Sequence, residues 1–258
     1  MSKPIAVITG ASTGIGKELC YQFAKNNYDL VLVARNQTAL QEISHDLNNQ
    51  YQCQAHIVVQ DLVEHEAAEK IMAQLNAKQI TVDVLVNNAG FGSFGKFNQT
   101  DRRKMLDMIT VNISALTDLT YLILPQMLQR GRGKVLNVAS TAAFQAGPSM
   151  AVYCATKAYV LSFSEAIAEE LRNTGITVSV LCPGSTRTEF FKRADMENLK
   201  FTRSAFSMSA DKVAEIGFIA LQREKRLTIA GWMNRIIAFS TRISPRTLTT
   251  RIAAKILS

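Results

Sequence analysis

The sequence predicts an α/β fold: a single, doubly wound parallel sheet of about seven strands with helices on both faces. Three observations predict it. Short β-branched runs recur along the chain, each run is near-continuously apolar rather than alternating, and the intervals are long enough for right-handed helical crossovers. A strand covered by helices on both faces has no wet side, so its polar positions disappear. The 258 residues suit one such domain and are ample for a sizeable core.

The first run, IAVITG at 5–10, leads into Gly10-Ala11-Ser12-Thr13-Gly14-Ile15-Gly16 and a helical stretch from Lys17 to Phe23. Glycines at such a turn let the backbone bend sharply and approach a pyrophosphate, whose charge then faces the helix N-terminus. Their spacing is GxxxGxG, which departs from the commonest dinucleotide fingerprint, GxGxxG. The second run, DLVLVAR at 29–35, ends about 20 residues past the glycines. There an acidic residue would bond ribose hydroxyls and an arginine would accept a 2′-phosphate. The residues found are Arg35 and Asn36, while Asp29 lies at the opposite end of the strand. Arg35 offers a charge-assisted contact, with Ser12 and Asn36 as neutral donors, so the pattern favours NADP(H) over NAD(H).

The third run, AHIVVQDL at 55–62, ends in Asp61 and Leu62, and Asp61 fits either a ligand contact or a helix cap. The fourth, VDVLVNNAG at 82–90, ends in Asn87-Asn88-Ala89-Gly90; the fifth, GKVLNVAS at 133–140, ends in Ser140; the sixth, ITVSVLCPG, covers 176–184. A shorter seventh strand is expected at 227–230, after a helix that Ser209 would cap. Residues 185–208 show mixed polarity and no period. They read as a mobile connection with one short helix that overhangs the ligand crevice.

Tyr153 and Lys157 stand four apart, so on a helix both project from one face, where an ammonium stabilises a phenolate. An unperturbed tyrosine, with a pKa of about 10, is a poor base near neutrality. Lys157, helped by the positive charge of an oxidised nicotinamide, is expected to lower it. Ser140, arriving from the end of a neighbouring strand, can donate a hydrogen bond to the same substrate oxygen.

Taken in order, TGxxxGxG, Asn87-Asn88-Ala89-Gly90, Asn112, Ser140, Tyr153-x-x-x-Lys157 and Pro183-Gly184 with Thr188 resemble the short-chain dehydrogenase/reductase family over residues 4–231. The resemblance implies a Rossmann-type fold and an oxidoreductase that moves a hydride between NADP(H) and a carbonyl or secondary alcohol. It implies Tyr153 as acid/base, Ser140 as carbonyl polariser, Lys157 as tuner, and Asn112 holding a water in a proton relay. Further cofactor contacts are implied at Gly10, Ser12, Thr13, Gly14, Ile15, Gly16, Asn88, Ala89 and Gly90. Asp61 and Leu62 would flank adenine, while Pro183, Gly184, Thr186 and Thr188 would lie near the nicotinamide amide. In a reducing cell NADPH favours the reductase direction. Phe91, Phe94, Phe144, Met150, Phe190 and Phe191 follow strand ends or fall in the overhanging segment, which suggests an apolar carbonyl substrate: an aromatic ketone, a steroid or a 3-oxoacyl chain. The rival reading is an NADPH-binding regulatory or scaffold protein whose basic tail holds a partner. A pure sensor has no use for a tuned tyrosine, which separates the two.

A composition of 47% apolar and 19% charged residues excludes a disordered or disulfide-dense chain. Of the 29 Lys and Arg, seven lie between Lys225 and Ser258, a stretch with no acidic residue. The remainder holds 22 cations against 21 anions, so the net +8 belongs to the C-terminal end, against a nucleic-acid groove spread over the fold. Residues 232–258 read as an extension of the 1–231 domain. In it Trp232, Ile236, Ile237, Phe239, Ile243, Leu248, Ile252, Ile256 and Leu257 alternate with arginines, and a break at Pro245 suggests two short amphipathic helices. Three roles stay open for them: peripheral contact with an anionic membrane, packing over the crevice or across a subunit interface, or holding an acidic partner. Family chains commonly end in an acidic, glycine-rich segment that packs on another subunit; this chain departs from that, which points to a homodimer rather than a tetramer. Four scattered cysteines and three histidines without ligand spacing suggest no metal and buried thiols in a reducing cytoplasm. No signal peptide is expected before Ile5, and no stretch of transmembrane length.

Overall fold

Seven parallel strands form the sheet, in the order β3-β2-β1-β4-β5-β6-β9. They are β1 (Ile5–Thr9), β2 (Asp29–Ala34), β3 (Ala55–Val59), β4 (Val84–Asn87), β5 (Gly133–Val138), β6 (Ile176–Cys182) and β9 (Leu227–Ile229). The computed structural model describes residues 3–194, 196 and 207–256. The predicted runs at 55–62 and 82–90 overshoot, because their last residues leave the ladder to become crevice loops. Order reverses between β1 and β4, which pair with each other through Ala6 to Val84 and Ile8 to Val86. At such a switch point the loops on either side diverge and leave a crevice at the carboxyl ends of the strands.

Strand periodicity sorts the core into two layers. Ala6, Ile8, Leu30 and Leu32 point to one face, where they meet α1 (Gly14–Lys25), α2 (Gln37–Tyr51) and α8 (Ala210–Gln222). Val7, Val31, Val33 and Leu85 point to the other, against α3 (Ala67–Ala77) and α5 (Ala115–Arg130). Phe23 of α1 is fully buried and meets Tyr28 and Phe218 edge-on, with ring centroids 5.1 and 4.9 Å away. Its truncation to alanine would cost about 3–5 kcal/mol.

Between β4 and β5 runs one continuous 29-residue helix, Arg102–Arg130, made of α4 (Arg102–Ile109), a π turn (Thr110–Ser114) and α5. It is long enough to cross a membrane, and one 18-residue window within it reaches a mean hydropathy of 1.3, although no uninterrupted apolar stretch of that length is present. Asp118 and several threonines interrupt the apolar run and mask it to the eye. Leu119, Ile123 and Met127 on its inner side are packed into the core of the sheet.

The seventh strand is preceded by α8 as expected, but Ser209 does not cap it through a backbone bond. Its hydroxyl instead bonds the Asp211 carboxyl and holds that group below the usual carboxylate range. Within the 185–208 connection lie β7 (Thr186–Arg187), which pairs with β8 (Met208–Ser209), and the short α7 (Phe190–Arg193); residues 195 and 197–206 lie outside the described residues. The tail forms α9 (Trp232–Ile243) and α10 (Arg246–Ile256), divided at Pro245.

Candidate active site

The end of β1 is clipped to the end of β4 by Thr9. Its Oγ1 accepts from the N–H groups of Asn88 and Ala89, each at 3.0 Å, while Asn88 Nδ2 donates back to the Thr9 carbonyl at 2.9 Å. The glycine turn sits on this clip. Gly10 has φ +67°, and a Cβ there would press on Asn88 Nδ2 at 2.8 Å; a Cβ on Gly16 would collide with the Gly10 carbonyl. Thr13 stands at the N-cap of α1 without a side-chain cap bond, leaving the first-turn N–H groups for an anion. Asn87 does not reach the crevice; its amide turns into the core and donates to Thr120 and Asn137.

At the far end of this cradle, the Arg35 guanidinium is 69% exposed and lies 3.5 Å from the Asp61 carboxylate. So exposed and long a pair holds the arginine weakly and leaves it free for a stronger anion. Asn36 caps α2 by accepting from the Ala39 N–H at 3.1 Å, which keeps its Nδ2 as the donor. Asp61 is no helix cap, since α3 begins only at Ala67; its Oδ1 accepts from the Val63 N–H at 3.1 Å. Glycine cradle, uncapped helix end and exposed arginine together fit a dinucleotide with a 2′-phosphate.

The reacting groups gather at the other end. Ser140 follows β5, its Oγ accepting from the Ala142 N–H at 3.1 Å. Tyr153 and Lys157 share the inner face of α6 (Ala151–Glu170), both buried, with Lys157 Nζ 5.9 Å from the phenol ring centroid and donating to the Val138 carbonyl at 2.8 Å. Burial raises the Tyr153 phenol well above its ordinary range, against a smaller opposite pull from its hydrogen bond with Ser140. Burial likewise lowers Lys157, to about 8. Burial is thus the dominant influence on both groups, and it favours the neutral phenol.

Asn112 lies in the π turn, a local widening of the helix that re-aims a side chain. Its Nδ2 donates to the Phe91 carbonyl and to Thr156 Oγ1, both at 3.0 Å, and its Oδ1 accepts from the Phe91 N–H at 3.1 Å. Both amide protons are thus committed, so the side chain has only a lone pair of Oδ1 left for a water. Gly90 stands between that atom and the lysine: a Cβ there would lie 3.0 Å from Asn112 Oδ1 and 3.4 Å from Lys157 Nζ.

Cradle and reacting groups open into one cavity of about 840 Å³. Gly10, Ser12, Thr13, Gly14, Ile15, Gly16, Arg35, Asn36, Asp61 and Leu62 line one end. Asn88, Ala89, Gly90, Ser140, Tyr153, Lys157, Pro183, Gly184, Thr186 and Thr188 line its middle. Phe91, Phe144, Met150, Phe190 and Phe191 line the apolar end, with the Phe190 ring 5.3 Å from that of Tyr153. Two residues singled out in the sequence are absent from the lining. Asn112 stands behind Gly90, and Phe94 packs behind the wall with Met108 and Met150. Packing of the tail over the crevice was one of the three roles left open, and it is realised in an outer wall where Met233, Asn234, Ile237, Ala238 and Thr241 of α9 meet Ala253 and Ile256 of α10; of these, Met233, Asn234, Ala238, Thr241 and Ala253 were not singled out in the sequence. Their signal was present as apolar residues on more than one side of α9. All four cysteines are free and buried, and burial pushes Cys53 and Cys154 up to about 11 and Cys182 up to about 12.

Residues 4–198 match the model of the short chain dehydrogenase family. The chain belongs to that family. The 7beta-hydroxysteroid dehydrogenase of Clostridium sardiniense is 30% identical to it over 229 residues, covering 89% of this chain and 86% of the relative. A very-long-chain 3-oxoacyl-CoA reductase of Anas platyrhynchos is 31% identical over 92% of this chain and 76% of its own. The solved short-chain dehydrogenase from Sphingobium yanoikuyae in complex with NADPH superposes with a TM-score of 0.83 at 30% identity, covering 93% of both chains. As a short-chain dehydrogenase, the protein is a nicotinamide-dependent oxidoreductase acting on CH–OH and C=O groups.

Proposed function

We propose that this dehydrogenase reduces an apolar ketone, of steroid-like or 3-oxoacyl type, with NADPH. The observation that carries the reading is the cavity itself: an exposed arginine at one end, half-buried Ser140 beside buried Tyr153 within it, and an apolar wall beside that pair. The relatives named for hydroxysteroids and 3-oxoacyl-CoA support the substrate class.

Gly10 to Gly16, Arg35 and Thr188 would hold the dinucleotide, which supplies the hydride when bound. The chain's own residues manage the oxygen and the proton. Ser140 donates to the substrate oxygen and draws the carbonyl into line. Tyr153, kept protonated by burial, is already in the acid form that a reduction consumes, and it protonates the developing alkoxide. Lys157 in its ammonium form stabilises the phenolate left behind and returns a proton to it, and the lysine is recharged by a proton that moves inward from the Asn112 and Gly90 side.

Self-association as a homodimer belongs to this reading. Exposed Tyr121 and Leu128 on α5 and Tyr159 on α6 supply an apolar face for an isologous contact. The buried, weakly acidic thiols suit a reducing cytoplasm. The test is NADPH oxidation with a panel of apolar ketones, run beside Tyr153→Phe and repeated with NADH. Turnover should favour NADPH and fall about 10²–10⁴-fold in the variant while NADPH still binds. Equal turnover in Tyr153→Phe would remove the tyrosine from the reaction.

A further inference from the structure

The outer sides of α9 and α10 carry an apolar surface that no other element among the described residues covers. Trp232, Ile236, Phe239 and Ile243 follow one another at helical spacing on α9, and Leu248 and Ile252 do so on α10; these six side chains are 49–73% exposed. Contiguous apolar exposure on this scale marks an interaction surface. Inner positions on the same helices wall the cavity, so the outer stripes both look away from it.

The charges around the stripes restrict what can cover them. Arg235, Arg242, Arg246, Arg251 and Lys255 are all exposed along the two helices, and the chain has no acidic residue after Glu224. Among the described residues Arg242, Arg246 and Arg251 form no ion pair. A second copy of this chain, meeting the same surface about a two-fold axis, would set these acid-free cationic borders against each other. The apolar face on α5 and α6 has no such bias, with Asp118 and Glu165 on the same two helices. The helices have 12 and 11 residues, roughly 18 and 16 Å, well short of the length needed to span a bilayer. A short amphipathic helix with aromatic and aliphatic residues on one side and arginines beside them lies in the plane of a lipid interface.

From these observations we infer that the α9–α10 surface docks on an anionic lipid bilayer. The apolar stripes enter the headgroup boundary, the arginines meet lipid phosphates and carboxylates, and the cavity's outer wall rests against the membrane. Docking does not depend on which ketone is reduced, and it fails or holds separately from that reading.

Trp232 is the single tryptophan of the chain and stands 66% exposed on the stripe, so its emission reports the event directly. The full-length protein is titrated with phosphatidylcholine vesicles with and without phosphatidylserine, and bound protein is separated by flotation. Expected are a blue shift and co-flotation with the anionic vesicles, weakened by added salt, and neither with phosphatidylcholine alone. Phe239→Glu combined with Ile243→Glu, both outside the cavity, should lower vesicle affinity roughly tenfold or more while NADPH binding and turnover stay unchanged. Absence of shift and flotation with anionic vesicles would overturn the inference, as would undiminished flotation of the double variant. A dimer that the double variant converts to monomer, without vesicle binding by either protein, would assign the surface to a second copy. Preference for polyglutamate over anionic vesicles would assign it to an acidic partner.

Discussion

The two ends of the cavity are built from different materials. The dinucleotide end is made of backbone N–H groups, glycines without side chains and one exposed arginine, all fixed at the carboxyl ends of neighbouring strands. The substrate end is made of apolar side chains from separate segments: the loop after β4, the start of α6, α7, α9 and α10. One end therefore recognises charge through donors whose positions the sheet dictates. The other recognises apolar surface, and its shape follows from how helices pack. Chemistry takes place at the seam, where Ser140, Tyr153 and Lys157 belong to the sheet and its adjoining helix but face the apolar wall.

Changing each part separately should break that division in order of size. Replacing Lys157 with methionine, at the seam, should lower turnover by about 10²–10⁴-fold. It should also alter the pH profile. Because burial lowers Lys157 to about 8, wild-type reduction should fall as the pH rises through that value and the ammonium is lost; initial rates across pH for Lys157→Met should lack this limb. At the dinucleotide end, Arg35→Ala removes a charge-assisted contact of about 1.5–3 kcal/mol, raising KM for NADPH about 10–100-fold. KM for NADH should stay unchanged, and an equal rise for both would mean Arg35 does not touch a 2′-phosphate. The smallest effect belongs to the substrate end. Ile237→Ala should raise KM for a bulky ketone roughly three- to tenfold without moving KM for NADPH.

This division also explains what was legible beforehand. The parallel, doubly wound sheet followed from apolar runs and crossover lengths, though the lateral order of its strands did not, and the cradle and reacting residues followed from spacings that a parallel strand and a helix hold rigid. Tyr153 and Lys157 meet because four residues are one helical turn, whatever surrounds them. Phe94 was misplaced because a strand-end position says nothing about which way a loop side chain turns; here it turns behind the wall. Asn112 could be placed on a helix, but the π turn that aims it at Phe91 and Thr156 leaves no mark in a sequence. The upward push on Tyr153 comes from burial by several elements at once, which local spacing does not reveal. In the tail, Pro245 and the helical period were readable, whereas which side would close the cavity depended on packing against distant strand ends.

The most direct test of the account is kcat/KM for NADPH-dependent reduction along a series of ketones of increasing apolar surface. The account predicts that kcat/KM climbs with apolar surface at constant KM for NADPH, and that the whole series falls to background in Tyr153→Phe. A flat series, or one that survives the loss of the phenol, would contradict it.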